Sequence, residues 1–537
     1  MSRTANCGWH TRGVSQSPDP KGPDEPCVLL KLGEIVLKGR NRQQFERILQ
    51  GNIRAAVREI GVPVELRQRE GVILLRVADG EQRGESGWAQ AAGQIAERVR
   101  DVPGIVRVCQ PLRVVKTPEA VTAAAVALTK GRTGTFAIRA RRRDKRFALT
   151  SGQLSVLIGR EIVEAHGLGV NLSRPDTEVF IEVDQHEVFV FTEGVAAVGG
   201  LPVGMSGRGV ALMSGGIDSP VAAYRMMRRG LRCFFLHFSG MPLTGPESIY
   251  KAYALVRGLD RFQGGSRLFV VPFGKAQQAL ASSGADRLLI VAQRRLMLKT
   301  GAALARRLSA TALVTGDSLG QVSSQTLANL TALDDATKLP ILRPLIGWDK
   351  SEIMAEARRI HTLAISELPD QDCCTLLTPR RVETRARLDD LRRIEGRLDI
   401  EDLADTLAAN AQEYRQEKPL YETDSGVTVW PCVLPGLASP NHISTARPAS
   451  ILGARIRPTR CDISAVITAP LSHRVGSSAS LLAFPGLFGL SPPSSGPSGT
   501  RRARACQGSG EGRVARGGWC GGEGAADQGR QVSGDAR

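Results

Sequence analysis

The chain has 537 residues, 42% of them hydrophobic and 23% charged, which describes an ordinary soluble protein of roughly three or four domains at about 150 residues each. Lys+Arg 71 against Asp+Glu 53 gives a net charge of +18, which favours a polyanionic partner and nucleic acid first. Ten scattered cysteines without paired CxxC or HxxxH spacing exclude a disulfide framework and structural zinc and fit a reducing cytoplasm, and no apolar run is long enough to span a membrane.

Residues 1–26 lack the apolar core of a signal peptide and read as a disordered leader, or as a start site placed too far upstream. From Cys27 the pattern changes. CVLLKL reads as a strand, and RNRQQFERILQGNIRAAVREI as an amphipathic helix with Phe45, Ile48, Leu49, Ile53, Val57 and Ile60 at helical spacing. A hairpin around Glu70-Gly71 and a second helix follow, giving a small α+β unit over residues 27–90 in ferredoxin-like order.

A second α+β unit is expected over 90–197. Its strand TFAIRARRR runs into RARRRDKRF, where Arg139, Arg141, Arg142, Arg143, Lys145 and Arg146 surround one acid. Such a run is often a solvated strand end. In a chain with this positive excess it reads as a contact to a nucleic-acid backbone. Residues 194–209, GVAAVGGLPVGMSGRG, read as a glycine-rich linker.

Beyond it, strand-like and helix-like segments alternate to about residue 420, as in a parallel, doubly wound α/β sheet. ALMSGGIDSP, residues 211–220, joins the first strand to the first helix. Ser214, Gly215 and Gly216 suit a backbone that takes positive φ and turns its amides inward, while Ser219 suits a helix cap and Pro220 the first helical position. Amides and helix dipole then converge on a phosphate chain. The loop is not a Walker A motif, because the lysine of G-x-x-x-x-G-K-[ST] is missing. It suits an enzyme that cleaves ATP between the α- and β-phosphates, with Asp218 holding Mg²⁺. After about residue 425 the sequence becomes rich in Gly, Pro, Ser and Ala, its basic residues are all arginine, and it reads as disordered or out of frame.

SGGIDS at a strand-to-helix junction resembles the PP-loop of the ATP pyrophosphatases. LKLGEIVLKGRNR (30–42), GGLPVGMSG (199–207), TGDSLGQVSSQTLANL (315–330), LPILRPLIGWDKSEI (339–353) and DCCTLLTP (372–379) narrow this further. Together, over about 27–420, they resemble the tRNA 4-thiouridine synthase (tRNA sulfurtransferase) family, also linked to thiamine biosynthesis. The resemblance implies a multidomain α/β and α+β fold: a ferredoxin-like domain (27–90), an RNA-binding THUMP domain (90–197), a PP-loop catalytic domain (198–420) and a tail (421–537).

It also implies ATP-dependent adenylation of O4 of the uridine at position 8 of tRNA, followed by sulfur delivery from a protein persulfide. Leu212, Met213, Ser214, Gly215, Gly216, Ser219, His237, Phe238, Arg294, Gly316 and Gln325 would meet ATP, and Cys373 or Cys374 would handle sulfur, with a lean to Cys373. Taken alone, His237 reads as a core residue, Arg294 as a surface charge and the cysteine pair as small hydrophobes. The longer family members end in a rhodanese domain, and residues 421–537 show no such pattern, so sulfur is expected directly from a cysteine desulfurase. A thiamine sulfur-carrier protein is a further partner, homodimerisation stays open, and the location implied is cytoplasmic. The competing readings are another PP-loop adenylating amidotransferase or ligase, and an RNA-binding protein with a degenerate PP-loop.

Overall fold

β1 (Cys27–Leu32) is buried along most of its length because both of its faces are covered. Val28, Leu30 and Leu32 enter a core shared with helices, while Cys27 and Leu29 enter a second core shared with the neighbouring domain. The structure, a computed structural model, describes residues 27–69, 71–78, 84–369, 377–415, 421–422 and 428–429. The expected leader and almost all of the expected tail lie outside the described residues; Tyr421–Glu422 and Thr428–Val429 pair as two short antiparallel strands.

α1 (Arg42–Arg58) packs on the first sheet through Phe45, Leu49, Ile53, Ala56 and Val57, a stripe at three- and four-residue spacing. β2 (Val64–Arg69), β3 (Val72–Val77), α2 (Gly84–Val99) and β4 (Ile105–Cys109) complete the unit, whose strands lie in the antiparallel order β4-β1-β3-β2. This is the expected ferredoxin-like arrangement, but the boundary near residue 90 is corrected. Ala91, Ala92, Ile95, Ala96, Val99 and Ile105 are buried in the first core, so α2 and β4 belong to the first domain.

The second domain comprises β5 (Leu112–Val114), α3 (Pro118–Thr129), β6 (Thr135–Arg142), α4 (Ser151–His166), β7 (Gly169–Val170), β8 (Thr177–Val183) and β9 (Val188–Phe191). Its sheet runs β5-β9-β8-β6-β7, with β6 parallel to both neighbours. Phe189 and Phe191 pack with Leu29 and Leu74 of the first domain, and Arg69 crosses the boundary to pair with Asp184 and Glu187.

The glycine-rich stretch expected as a linker is instead a strap bonded on both sides. β10 (Val195–Ala196) pairs with β4, and the amide of Gly199 donates to Ile105 O (2.8 Å). The amides of Leu201 and Gly204 then donate to the carbonyls of Arg228 (2.9 Å) and Gly230 (2.8 Å) in the third domain. Gly200, at φ +79°, passes so close that a Cβ would come within 2.1 Å of Arg228 O.

The third domain begins with β11 (Arg208–Leu212), α5 (Asp218–Arg228), β12 (Arg232–Ser239), α6 (Glu247–Gln263), β13 (Arg267–Pro272), α7 (Gly274–Ser282) and α8 (Leu289–Leu308). β14 (Ala312–Val314), α9 (Leu327–Asp334), β15 (Ile341–Leu342), α10 (Lys350–Arg359), α11 (Leu363–Ser366), α12 (Leu388–Glu395), α13 (Ile400–Ala409) and β16 (Gln412–Arg415) follow. The sheet order is β15-β14-β11-β12-β13-β16, parallel except for the β16 edge. One core covers each face, with α5, α6 and α10 in one and α7, α8, α9, α12 and α13 in the other. β11 runs outward to β12 on one side and neighbours β14 on the other, so the strand order reverses beside it. A doubly wound sheet opens its ligand crevice at the carboxyl ends of the strands at such a point.

Candidate active site

Met213, 2% exposed, closes β11 by donating its amide to Leu236 O (2.8 Å). The chain then turns through Ser214–Ile217 into α5, at the crevice where the strand order reverses. α5 starts at Asp218, with no side-chain cap at Ile217, so the expectation that Ser219 caps the helix and Pro220 takes its first position is corrected. Ser219 folds back instead: its Oγ accepts from the Ser214 amide (3.1 Å) and lies 3.2 Å from Ser214 Oγ. Pro220 is the third residue of the helix, still within its first turn, where its missing N–H would have had no intrahelical partner. Gly216 does not take positive φ either. A Cβ there would meet nothing nearer than Ser214 Oγ at 3.5 Å, so the glycine leaves the backbone open to close approach.

Asp218 stands at the first position of α5, where the helix dipole favours negative charge. Its Oδ1 accepts from Lys350 Nζ (2.8 Å) and its Oδ2 from Gln321 Nε2 (3.0 Å). An ammonium group absent from the loop's own sequence is thus brought to its acid by the first residue of α10, 132 residues downstream. Asp349 holds it there through a capping box with Glu352. The string GWDKSEI signalled the cap, but nothing in it told which loop Lys350 would face.

Gly316, just past β14, packs on the start of α5: a Cβ would lie 2.8 Å from Ser219 N and 2.9 Å from Asp218 C. The next residue was missed at the sequence level. Asp317, 2% exposed, pairs with Arg294 and accepts from Thr315 Oγ1 (2.7 Å), Arg343 Nε (3.2 Å) and Gln325 Nε2 (3.4 Å). Burial pushes its carboxyl up, but Arg294, the Thr315 hydroxyl and Arg343 outweigh burial and leave it below the usual range. Asp317 thus gathers Arg294 and Gln325 beside the loop. Its only sequence signal was its place within TGDSLGQVSSQ.

The His237 ring is buried, with Nδ1 2.9 Å from Met213 O and Nε2 3.2 Å from Ser248 Oγ, so it ties the strand end to α6. Phe238, at the end of the same strand, meets Phe273 edge-on at 5.1 Å. Leu212, Met213, His237 and Phe238 thus stand at or beside the carboxyl ends of β11 and β12, Gly316 packs on the start of α5, and Arg294 and Gln325 meet at Asp317 next to it. Around Asp218 and Asp317, Gln321 Oε1, Gln325 Oε1 and Arg343 Nη2 are buried without a partner. Unpaired buried acceptors and an unpaired guanidinium nitrogen are costly, and they suit a ligand carrying both N–H or O–H donors and anionic oxygens. Among the described residues there is no cluster of three or more metal-ligating side chains. Mg²⁺, however, commonly takes one carboxylate together with substrate phosphates and water, which Asp218 can supply.

Cys373 and Cys374 lie outside the described residues. The three described cysteines are poor thiolates: burial pushes Cys27 up to about 12, Cys109 to about 11 and Cys233 to about 12.

The basic run is partly spoken for. Arg139 pairs with Glu178 (2.9 Å), and Arg142 donates to the carbonyls of Phe147 (3.2 Å) and Leu149 (2.7 Å). Arg143 lies 3.6 Å from Glu182, and Arg146 is 3.2 Å from Asp144. Arg141 and Lys145 remain exposed without an ion pair among the described residues, Arg141 over a shallow groove with Ser151 and Gly152 at the start of α4.

Comparison with known proteins agrees along the chain. The family described as thiamine biosynthesis protein (ThiI) matches residues 204–400, its ferredoxin-like domain 27–109, and the THUMP domain 116–193. A probable tRNA sulfurtransferase of Nocardia farcinica is 48% identical over 438 residues, covering 80% of this chain and 99% of the relative. Another, of Thermus thermophilus, is 41% identical and covers 75% and 98%. A crystal structure of a 4-thiouridine synthetase in complex with RNA and ATP superimposes with TM-score 0.65 at 29% identity, over 73% of this chain and 100% of that one.

Proposed function

The chain belongs to the ThiI family of tRNA sulfurtransferases, and from that premise we propose that it carries out ATP-dependent thiolation of tRNA, converting the uridine at position 8 to 4-thiouridine. The observation that carries the reading is the loop itself. Helix-start amides, an open glycine, Asp218 and a facing Lys350 converge where the strand order reverses.

Uracil O4 attacks the α-phosphorus of ATP, the bond to the bridging oxygen breaks, and pyrophosphate leaves. Loop amides and Lys350 offset the charge of the departing pyrophosphate. Arg294 and Arg343, both held by Asp317, are assigned to the phosphates, and Gln321 and Gln325, whose Oε1 atoms are buried without a partner, to the nucleoside. Bound at Asp218, Mg²⁺ would supply further charge neutralisation. The terminal sulfur of a persulfide then attacks C4, the C4–O bond breaks, and AMP departs with the former O4, which leaves C4 joined through a disulfide to the carrier cysteine; a second thiolate attacks the carrier's sulfur, the S–S bond breaks, 4-thiouridine leaves as the thiolate, and an external thiol reduces the new disulfide. Cys373 or Cys374 handles that sulfur, with a cysteine desulfurase as donor and the cytoplasm as the setting. Arg141 and Lys145 hold tRNA backbone, together with the others of the basic run that can exchange their partners. Transfer to a thiamine sulfur-carrier protein and a homodimeric state belong to the same reading.

The test is reconstitution with unmodified tRNA, Mg-ATP, a cysteine desulfurase and cysteine, read by the near-ultraviolet absorbance of 4-thiouridine. AMP and pyrophosphate should form in step with the product. RNA binding without AMP release would favour a binding protein; AMP release yielding an aminated or ligated product would favour the amidotransferase or ligase reading.

A further inference from the structure

Beside the loop lies a second cationic feature that the chemistry above does not use. Arg225 is two turns along α5 from Asp218, about 10 Å at 1.5 Å per residue. Its guanidinium carbon stands 3.9 Å over the ring of Trp348, the residue two before Lys350. Arg225 Nε is buried without a partner, and Arg225 enters no ion pair among the described residues. The same holds for Arg228, one turn further along α5. The acids of α10 are committed elsewhere: Glu352 to its capping box and Glu356 to Arg359.

A guanidinium stacked on an indole is held flat by the ring, and its in-plane N–H groups stay available for a planar or tetrahedral oxyanion. This arrangement costs side-chain freedom in the free protein, and a phosphodiester offsets that cost when it binds. The face runs on from the loop that holds the departing pyrophosphate, and a uracil must come up to the neighbouring α-phosphate to be adenylated. A uridine held there brings its own flanking phosphates within a turn or two of α5.

We propose that the Arg225–Trp348 stack, extended by Arg228 one turn along α5, is a second RNA-binding surface, on the catalytic domain itself. It seats the sugar-phosphate backbone flanking the target uridine and guides that strand along α5 to the loop. The proposal rests on the tRNA-thiolation reading and adds the surface that delivers the substrate to the reaction. It separates holding the tRNA, by the first two domains, from presenting the nucleoside.

The test uses the full chain with tRNA. Arg225→Ala should raise the KM for tRNA about 5- to 10-fold and lower the slope of log affinity against log salt by about 0.7 to 0.9, the loss of one phosphate contact. ATP affinity measured without tRNA should stay within about twofold. Arg225→Lys should restore the salt slope and part of the KM, since charge returns without the stack. Unchanged tRNA KM and slope in Arg225→Ala would overturn the proposal. So would a loss of ATP affinity, which would make the stack a prop for the turn that presents Lys350. A changed dependence on desulfurase concentration alone would also overturn it, marking the face as a protein dock. Failure of the thiolation reading is distinguishable, because the wild-type chain would then form no 4-thiouridine at all.

Discussion

The loop Ser214–Ser219 and the stretch Arg139–Arg146 both present positive potential, but they are built differently. The loop draws on backbone amides at a helix start, and its side chains bond mainly within the same turn. The basic stretch draws on long side chains, and four of its six are tied to Glu178, Glu182, Asp144 or nearby carbonyls. Amide charge cannot be diverted by a distant carboxylate, whereas a guanidinium can, and a surface ion pair costs little to form or break. A site of the first kind is present before its ligand arrives; one of the second kind is partly occupied by the protein.

The sharpest way to break this comparison is at Asp218. Asp218→Ala should lower tRNA-dependent AMP formation about 10³-fold with tRNA affinity nearly unchanged, measured by radiolabelled AMP release and filter binding. Equal loss of both would mean that the loop also holds RNA. Next, Gly316→Ala forces a Cβ to within 2.8 Å of Ser219 N. It should weaken ATP binding about 10-fold and lower stability by about 1–3 kcal/mol, read by calorimetric titration and thermal melting.

In the basic stretch the effects should be smaller and should divide by partner. The double variant Arg141→Ala with Lys145→Ala should weaken tRNA binding several-fold and reduce the salt slope by about 1 to 2. Arg142→Ala should leave the slope unchanged and cost about 1 kcal/mol of stability, because it loses the bonds to Phe147 and Leu149. The smallest effect concerns thiols. With pKa values raised to about 12, 11 and 12, Cys27, Cys109 and Cys233 carry a thiolate fraction of about 10⁻³ or less at pH 8, and native alkylation read by mass spectrometry should leave them unmodified. The sign for stability follows. Above the ordinary value of 9.0 the unfolded chain loses these protons and the folded chain keeps them, so stability falls as pH rises from there.

What could be read from the sequence was what local chemistry determines. The alternation of strands and helices in the catalytic domain, the place of SGGIDS between its first strand and first helix, and the stripe on α1 each follow from neighbours a few residues apart. What was missed depends on contacts across the fold. Lys350 faces Asp218 over 132 residues, and Asp317 acquires its role only when Arg294 and Arg343 arrive from other elements. The first boundary was drawn too early because α2 and β4 show the same pattern whichever domain they join; only the burial of Ile95 and Val99 decides it. The glycines of 199–207 read as slack, but Gly200 is there because the chain passes too close to Arg228 O for any side chain.

That strap gives α5 a use as a gauge. One end of the helix begins at Asp218; the other, at Arg228, is bonded through Leu201 to the stretch that borders β4 in the first domain. The separation between the two ends is then the length of eleven helical residues, about 16 Å, and a helix changes that length only in whole residues. Inserting one alanine within α5 would turn Asp218 about 100° relative to the strap while lengthening the helix by only about 1.5 Å. The distance and the angle at which one half of the molecule addresses the other are thus written into the residue count of a single helix.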